Sequence, residues 1–272
     1  MSDVVCNSGP QDRPFEERHS RVSIAMVVAG SFQYRGASGR ELMTAGSLLL
    51  GNPGEYFECG HEHGAGDRCI SFQYTPEYFQ RLHGDGGGRG HNFDFRVPRL
   101  PPLRALSPLI TRACARLIRS VDASQLSSIG VGGFWEELAI KLAVQTLQLV
   151  AVFYPETRAP LPSAVARVTR TVRTIERHPD ASLSIGTLAR EAGLSPYHFL
   201  RVFEQLTGVT PHQYILRLRL REAAMRLAEE PAKVLDVALD SGFGDVSNFN
   251  HAFRAEFGVS PRVYRLRELA RV

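Results

Sequence analysis

The sequence predicts an α+β fold: an antiparallel β-barrel with flanking helices, followed by an all-α part in which a long helix joins two helix-turn-helix units. Three observations predict it. Short strand-like runs with glycine turns fill residues 22–74, helical spacing of apolar residues begins near residue 107, and a block of residues after 199 recurs fifty positions later. A length of 272 residues suits two domains, which we place at 1–157 and 163–272.

The β-rich part is predicted from apolar or alternating runs at 22–28, 31–34, 47–50, 56–63 and 69–74. Many short strands separated by turns favour a sandwich or a small barrel. We interpret the pattern as a jelly-roll or cupin-like barrel whose strands end at about residue 97. Glycines at 84–90 and prolines at 98–102 mark the connection out of the sheet.

Two helices are predicted after the barrel, at about 107–121 and 133–153. Ser107 and Pro108 give a start signal, and Leu109, Ala113 and Leu117 share one face. Two interpretations stay open: the pair forms a dimer interface, or each helix only covers the barrel with its apolar stripe. The proline-rich segment 155–162 is the predicted interdomain linker.

The C-terminal part contains an internal repeat. The matching pairs are Phe199 and Phe249, Phe203 and Phe253, Gly208 and Gly258, Pro211 and Pro261, and Tyr214 and Tyr264. Upstream in each copy, Gly193 and Gly242 stand where a helix ends in the left-handed conformation, and Ser195 offers an N-cap for the next helix. A helix, a glycine turn and a second helix make a helix-turn-helix unit.

The second helix of each unit has one apolar and one outward face. The predicted outward residues are Tyr197, Leu200 and Arg201 in the first unit, and Ser247, Asn250, His251 and Arg254 in the second. These faces are either solvated surfaces or readers of a DNA major groove, where arginine pairs with guanine and asparagine with adenine. Between the units, Thr210, Pro211 and Gln213 predict the start of an uninterrupted helix to about residue 229. Such a spacer would suit major grooves about 34 Å apart.

Charge and composition narrow the function classes without choosing one. The net charge is +4, with 16 basic and 12 acidic residues after Pro160 and 16 of each before it, an excess that fits phosphate contacts and an ordinary surface alike. The polar N-terminus predicts no signal peptide, and apolar runs broken by Lys141 and Gln145 do not suit a bilayer, so we expect a cytoplasmic protein. The four scattered cysteines are expected to be reduced.

A second candidate site lies in the β-rich part. Cys59, His61 and His63 alternate along a predicted strand and so share one face. Together with Asp67 they could bind zinc or another transition metal. Two other interpretations stay open: the histidines lie in a polar strand or turn beside small core cysteines, or Cys59 and Cys69 form a thiol redox sensor.

Many residues stand at fixed spacing over about 163–267: Leu188, Ala189, Gly193, Ser195, Phe203, Gly208, Pro211, Tyr214, Arg219, Ala223, Val237, Ala238, Gly242, Phe243, Phe249, Phe253, Gly258, Ser260, Pro261, Tyr264 and Arg265. In these residues the sequence closely resembles the AraC/XylS family of bacterial transcription regulators. The resemblance implies a seven-helix DNA-binding domain with recognition helices near 196–207 and 246–257, and an N-terminal cupin-like effector or dimerisation domain. It also implies base contacts from Tyr197, Leu200, Arg201, Ser247, Asn250 and His251.

The predicted function is therefore sequence-specific DNA binding that regulates transcription initiation in response to a small molecule, a metal or a redox signal. The alternative is a cupin-type metalloenzyme fused to a binding module. The sequence shows no nucleophile motif, phosphate loop or paired carboxylates for catalysis, so we expect no enzyme. Expected partners are double-stranded promoter or operator DNA, RNA polymerase, a small-molecule effector and a second copy of the chain, with no membrane.

Overall fold

The computed structural model describes residues 1–37, 39–61, 66–85, 93–122, 131–153, 162–229 and 231–270. Within these ranges the strands are β1 (Ser2–Cys6), β2 (Phe15–Arg18), β3 (Val22–Gly36), β4 (Gly39–Thr44), β5 (Leu48–Gly51), β6 (Tyr56–Gly60), β7 (Asp67–Tyr74) and β8 (Arg99–Leu100). The helices are α1 (Pro76–Asp85), α2 (Ser107–Asp122), α3 (Val131–Val150), α4 (Pro162–Arg177), α5 (Ile185–Glu191), α6 (Pro196–Thr207), α7 (Pro211–Glu229), α8 (Val234–Asp240), α9 (Val246–Phe257) and α10 (Pro261–Leu269).

Strand β3 organises the barrel because it pairs with strands on both sides along its whole length. Its first part pairs with β7 and β5, and its second part pairs with β4 and β6, all antiparallel. The chain bends between the two parts at Gly30, where φ is +74° and an added Cβ would lie 2.3 Å from the carbonyl oxygen of Gly66. Only glycine fits this bend, which carries β3 from one sheet into the other.

Side-chain alternation along β3 gives the barrel two apolar layers. Ile24 and Met26 pack with the helices α2 and α3, whereas Ala25 and Val27 belong to a second cluster with residues of the other strands. This is the period of two expected of a strand that is covered on both faces.

The α+β fold class is confirmed, but several predicted strand bounds are wrong. The segments 22–28 and 31–34 form one strand, and the strand predicted at 56–63 ends at Gly60. The strands β1, β2, β4 and β8 and the helix α1 were not predicted. β1 is an edge strand with almost entirely exposed side chains, so it has no apolar alternation, whereas α1 packs Tyr78, Phe79 and Leu82 against the core.

The two helices predicted after the barrel are confirmed, with ends within about three residues of the prediction. Leu138 and Leu142 on α3 are fully buried in the cluster that includes the sheet. The helices therefore cover the barrel, and the dimer interface stays a prediction. The predicted linker lies almost wholly outside the described residues, so the bounds 1–157 and 163–272 also stay predictions.

The C-terminal helices form two apolar clusters that share α7. Phe199, Phe203 and Tyr214 pack in the first cluster, with α4, α5 and α6. Phe249 and Phe253 pack in the second, with α8 and α10. Because α7 contributes to both, it acts as a common spine for the two helix-turn-helix units.

The barrel packs directly on these helices. Arg99 on β8 donates from Nη1 to the carbonyl of Thr207 at the end of α6, at 2.9 Å. Arg217 on α7 donates to the carbonyl of Pro102 at 2.7 Å, and Ser107 is hydrogen-bonded to Glu256 near the end of α9. The N-terminal part therefore contacts the elements that hold both units.

Candidate nucleic-acid interface

Both predicted recognition helices begin at a capped turn. Gly193 ends the preceding helix with φ +63°, and Ser195 Oγ accepts from the backbone nitrogen of His198 at 3.3 Å. In the second unit Gly242 has φ +81°, and the N-cap is Asp245, which accepts from the nitrogen of Asn248 at 2.7 Å. The glycine turns are confirmed, and Asp245 is a cap that the sequence comparison of the two units had not assigned.

The division of each recognition helix into two faces is also confirmed. Phe199, Val202, Phe203 and Leu206 are buried on α6, as predicted. Tyr197 is 78% exposed, and the remaining predicted outward residues are exposed too: Leu200, Arg201, Ser247, Asn250, His251 and Arg254. The structure therefore leaves every proposed base-contacting side chain accessible, and on each helix these residues occupy the face opposite the core.

The spacer helix α7 starts with the predicted capping box. Gln213 Oε1 accepts from the nitrogen of Thr210 at 3.1 Å, and Thr210 Oγ1 accepts from the nitrogen of Gln213 at 3.3 Å. The helix then runs for 19 residues. Reciprocal capping satisfies backbone donors that would otherwise be unpaired and fixes where the helix begins.

Arg219 on α7 joins the two units to each other. Its Nε donates to the carbonyl of Pro179 at 2.6 Å, and Nη2 donates to that of Ala181 at 2.8 Å, both in the turn between α4 and α5. Its Nη1 donates to the carbonyl of Gly242 in the turn before α9, at 2.7 Å. One half-buried guanidinium therefore bonds to both turns. Desolvation lowers the pKa of Arg219, partly offset by the charge of Asp180.

Gly242 brings the same two turns into close contact. An added Cβ at Gly242 would lie 2.6 Å from the carbonyl oxygen of Asp180. The residue thus combines a left-handed backbone with a close approach between units, and both conditions favour glycine. Arg219 and this contact therefore connect the turn between α4 and α5 to the turn before α9.

Not all of the C-terminal arginines are available to a nucleic acid. Arg217, Arg219 and Arg221 are partly or fully buried and contact protein groups, and burial lowers the pKa of Arg217. Arg201 and Arg254 are exposed on the recognition helices. Some arginines of the basic excess therefore stabilise the fold, and others are exposed and could contact a nucleic acid.

A buried carboxyl lies where the barrel meets the first unit. Glu176 on α4 accepts from the hydroxyl of Tyr214 at 2.6 Å and also from the backbone of Ala45 in the barrel. Burial raises the pKa of Glu176 to about 7, although these hydrogen bonds and the charges of Arg173 and Arg221 act in the opposite direction. This group could not be predicted from the sequence, because it depends on contact between distant segments.

The predicted metal site of Cys59, His61, His63 and Asp67 stays a prediction, because one of the four residues lies outside the described part of the chain. His61 follows the end of β6 rather than lying on the strand, and His63 lies outside the described residues. Cys59 packs against the apolar cluster of Ala25 and Val27, to which the buried Cys69 belongs. A different thiol lies near the histidine: ligand atoms of Cys6, His61 and Asp67 are all within 4.8 Å of one another.

Cys59 and Cys69 are poor candidates for a reactive thiol pair. Burial raises the pKa of both Cys59 and Cys69, and the nearby charge of Asp67 adds to the shift. The thiolate is the reactive form of cysteine, so this environment disfavours redox chemistry at the two sulfur atoms. The interpretation of Cys69 as a small core residue agrees with its burial.

Among the described residues, no helix combines the length and the apolar character needed to cross a membrane.

Comparison with known proteins covers both halves of the chain. A family model described as a helix-turn-helix domain matches residues 188–267, and one described as an AraC-like ligand binding domain matches residues 4–131. The probable transcriptional regulator LumQ of Photobacterium leiognathi is 38% identical over 91 residues, which cover 34% of this chain and 37% of LumQ. The transcriptional activator AarP of Providencia stuartii is 36% identical over 92 residues, which cover 34% of this chain and 68% of AarP.

A solved structure, the DNA-binding domain of AdpA in complex with a target DNA, is 30% identical and covers 39% of this chain and 95% of that chain, with a TM-score of 0.38. The match in the C-terminal helices is to a helix-turn-helix domain, and the N-terminal match is to an AraC-like ligand binding domain. The chain belongs to the AraC/XylS family of bacterial transcription regulators.

Proposed function

We propose that this chain binds a specific double-stranded DNA sequence through α6 and α9 and regulates transcription initiation from that site. The observation that supports this best is a pair of exposed recognition faces on two units that Arg219 joins. Two helices held in one orientation can enter successive major grooves on one side of the duplex.

The residue types on the two faces suit direct reading of bases. Arg201 and Arg254 can each bond guanine through two hydrogen bonds, and Asn250 can do the same with adenine. Leu200 can contact the methyl group of thymine. Tyr197, Ser247 and His251 can reach bases or phosphates. Because the two faces carry different residues, we propose that the two half-sites differ in sequence.

A footprint of the full chain tests the proposal. Bound fragments are first selected from genomic DNA, and the best fragment is then titrated with wild-type protein and with Arg201→Ala and Asn250→Ala. Each variant should lose about 1–3 kcal/mol of binding free energy, or roughly 5-fold to 150-fold in affinity, with relaxed specificity at a few adjacent base pairs. Arg96→Ala, an exposed arginine of the N-terminal part, removes the same charge and should bind almost as wild type.

Two results would contradict the proposal. One is the absence of any selected sequence above non-specific binding at moderate salt, since sequence-independent binding is dominated by phosphate contacts. The other is an equal loss of affinity for Arg96→Ala and Arg201→Ala, which would indicate a general charge effect and no base reading.

We further propose that a small-molecule effector binds a cleft of about 630 Å³ between β7, α1 and α3. Tyr74, Tyr78 and Trp135 line it, together with Arg21 and Arg81. Its volume suits a drug-sized ligand. Aromatic rings and two cations, against the one lining carboxylate of Glu136, favour an aromatic anion. Trp135 is the only tryptophan in the chain, so its fluorescence reports on the cleft directly.

The remaining partners are proposals of the same kind. Ile140 and Val144 stand one turn apart on α3 and are exposed, which supports a homodimer through this helix. Sedimentation of the wild type and of Ile140→Asp tests this contact. We also propose contact with RNA polymerase, a cytoplasmic location beside the chromosome, and no enzymatic turnover, since the relatives carry the names of transcription regulators.

A further inference from the structure

We propose that Cys6, His61 and Asp67 form a binding site for one divalent transition metal ion, with Zn²⁺ as the best fit. The three side chains come from three segments that are distant in sequence, and their ligand atoms lie within 4.8 Å of one another. A thiol, an imidazole and a carboxylate are the three ligand types that proteins use for zinc.

Strand pairing brings the thiol to the carboxylate. β1 pairs antiparallel with β7, and Cys6 stands directly opposite Asp67 in the register. Opposite residues on one face of a sheet have their Cβ atoms about 5 Å apart, so the two side chains meet. Arg68 bonds Asp3 at 2.9 and 2.6 Å, which holds the edge strand β1 in this position.

The imidazole reaches the same place from the end of β6. His61 is hydrogen-bonded to Asp67, and the two side chains are only 2% and 6% exposed. Cys69 Sγ lies 3.6 Å from the second carboxylate oxygen of Asp67. Polar ligands therefore converge below the surface, in a part of the barrel where an unpaired charge would be costly.

The charges balance for a divalent ion. A thiolate and a carboxylate together neutralise a 2+ ion, and a neutral imidazole adds no charge, so the occupied site has no net charge to bury. Tetrahedral zinc needs ligand atoms about 3.4–3.7 Å apart. Movements of the side-chain ligand atoms by about 1 Å are therefore enough to reach this geometry. A water molecule can complete the tetrahedron.

The site also adjoins the contact between the barrel and the DNA-binding helices. Arg173 on α4 donates to the carbonyl of Gly66, the residue before Asp67, at 3.4 Å, and to that of Ser31 at 3.1 Å. A metal ion that fixes Asp67 would also fix the segment that Arg173 contacts. This consequence rests on the proposed function, whereas metal binding itself does not.

Metal binding can be measured on the full chain without DNA. The purified protein is stripped with a chelator and titrated with Co²⁺, and the near-ultraviolet absorption of a thiolate–cobalt bond is followed. Zn²⁺ is then added to displace cobalt, and bound metal is counted by mass spectrometry. The variants are Cys6→Ser, on an exposed edge strand where folding should tolerate the change, and the matched control Cys114→Ser, a thiol on α2 outside the group.

Wild type and Cys114→Ser should each bind one equivalent with a thiolate band. Cys6→Ser should lose that band and bind at least about tenfold more weakly, while its melting temperature in the presence of chelator stays that of the wild type. The proposal is overturned if stripped wild type takes up no metal, or if Cys6→Ser matches it in stoichiometry, affinity and spectrum. Because neither readout involves DNA, a failed footprint would leave this result unaffected.

Discussion

Replacing Arg219 with alanine should loosen the joint between the two helix-turn-helix units. The side chain makes three hydrogen bonds of 2.6–2.8 Å to carbonyl groups, two in the first unit and one in the turn before α9. The guanidinium reaches both turns from the helix that lies between them.

The size of the effect follows from the geometry. A hydrogen bond with a charged donor contributes about 1.5–3 kcal/mol when it is shielded, and three of them give an upper value near 9 kcal/mol. Arg219 is only half-buried and its desolvation opposes the gain, and water can reach some of the released carbonyls. We therefore expect Arg219→Ala to lower the free energy of unfolding by about 3 kcal/mol.

Two assays separate a joint defect from a general one. Thermal unfolding measures stability, and gel-shift titration compares a full selected site with a single half-site. Affinity for the full site should fall much more than affinity for the half-site, because the second contact loses its fixed position. Arg219→Lys can restore only part of the three-bond contact and should lie between alanine and wild type.

Arg226→Ala is the matched control. It also removes an arginine from α7, but Arg226 pairs with the exposed Asp240 at 3.0 Å, a contact worth less than about 1 kcal/mol. Equal melting temperatures of Arg219→Ala and Arg226→Ala would contradict a structural joint at Arg219. An equal loss of affinity of Arg219→Ala for the full site and the half-site would contradict it as well.

Three further predictions concern single groups. The pKa of Glu176 is about 7 in the folded protein and 4.5 in the unfolded chain, so its contribution to the free energy of unfolding falls as pH rises from about 4.5 to 7. Over that range, unfolding titrations should show the free energy of unfolding of Glu176→Gln rising by up to about 3 kcal/mol relative to wild type. Parallel pH curves for the two proteins would contradict this. Gly242→Ala places a Cβ on a left-handed backbone, 2.6 Å from the carbonyl oxygen of Asp180. It should lower the free energy of unfolding, measured with denaturant, by roughly 2–4 kcal/mol. A decrease below about 1 kcal/mol would show that the turn adapts. Ser195→Ala removes the N-cap of α6 and should cost about 1 kcal/mol, with Ser195→Thr close to wild type, and equal melting of all three proteins would show that the cap is dispensable.

The proposed metal ligands Cys6, His61 and Asp67 were only partly predictable from the sequence. Alternation along one strand selected Cys59, His61 and His63, because a sequence pattern reports only neighbours within an element. The structure places Cys6 beside His61 and Asp67 through the pairing of β1 with β7, a contact across about sixty residues. β1 has no apolar alternation, so nothing local marked it as a strand.

The helix-turn-helix units were predictable from local sequence requirements. Glycine at the left-handed turns and the apolar spacing of each helix gave the faces of α6 and α9, and serine and threonine caps gave the starts of α6 and α7. How these parts meet was visible only in the folded protein. The three bonds of Arg219, the approach of Gly242 to Asp180 and the enclosed carboxyl of Glu176 depend on side chains from distant segments, and such packing leaves no periodic trace in the sequence.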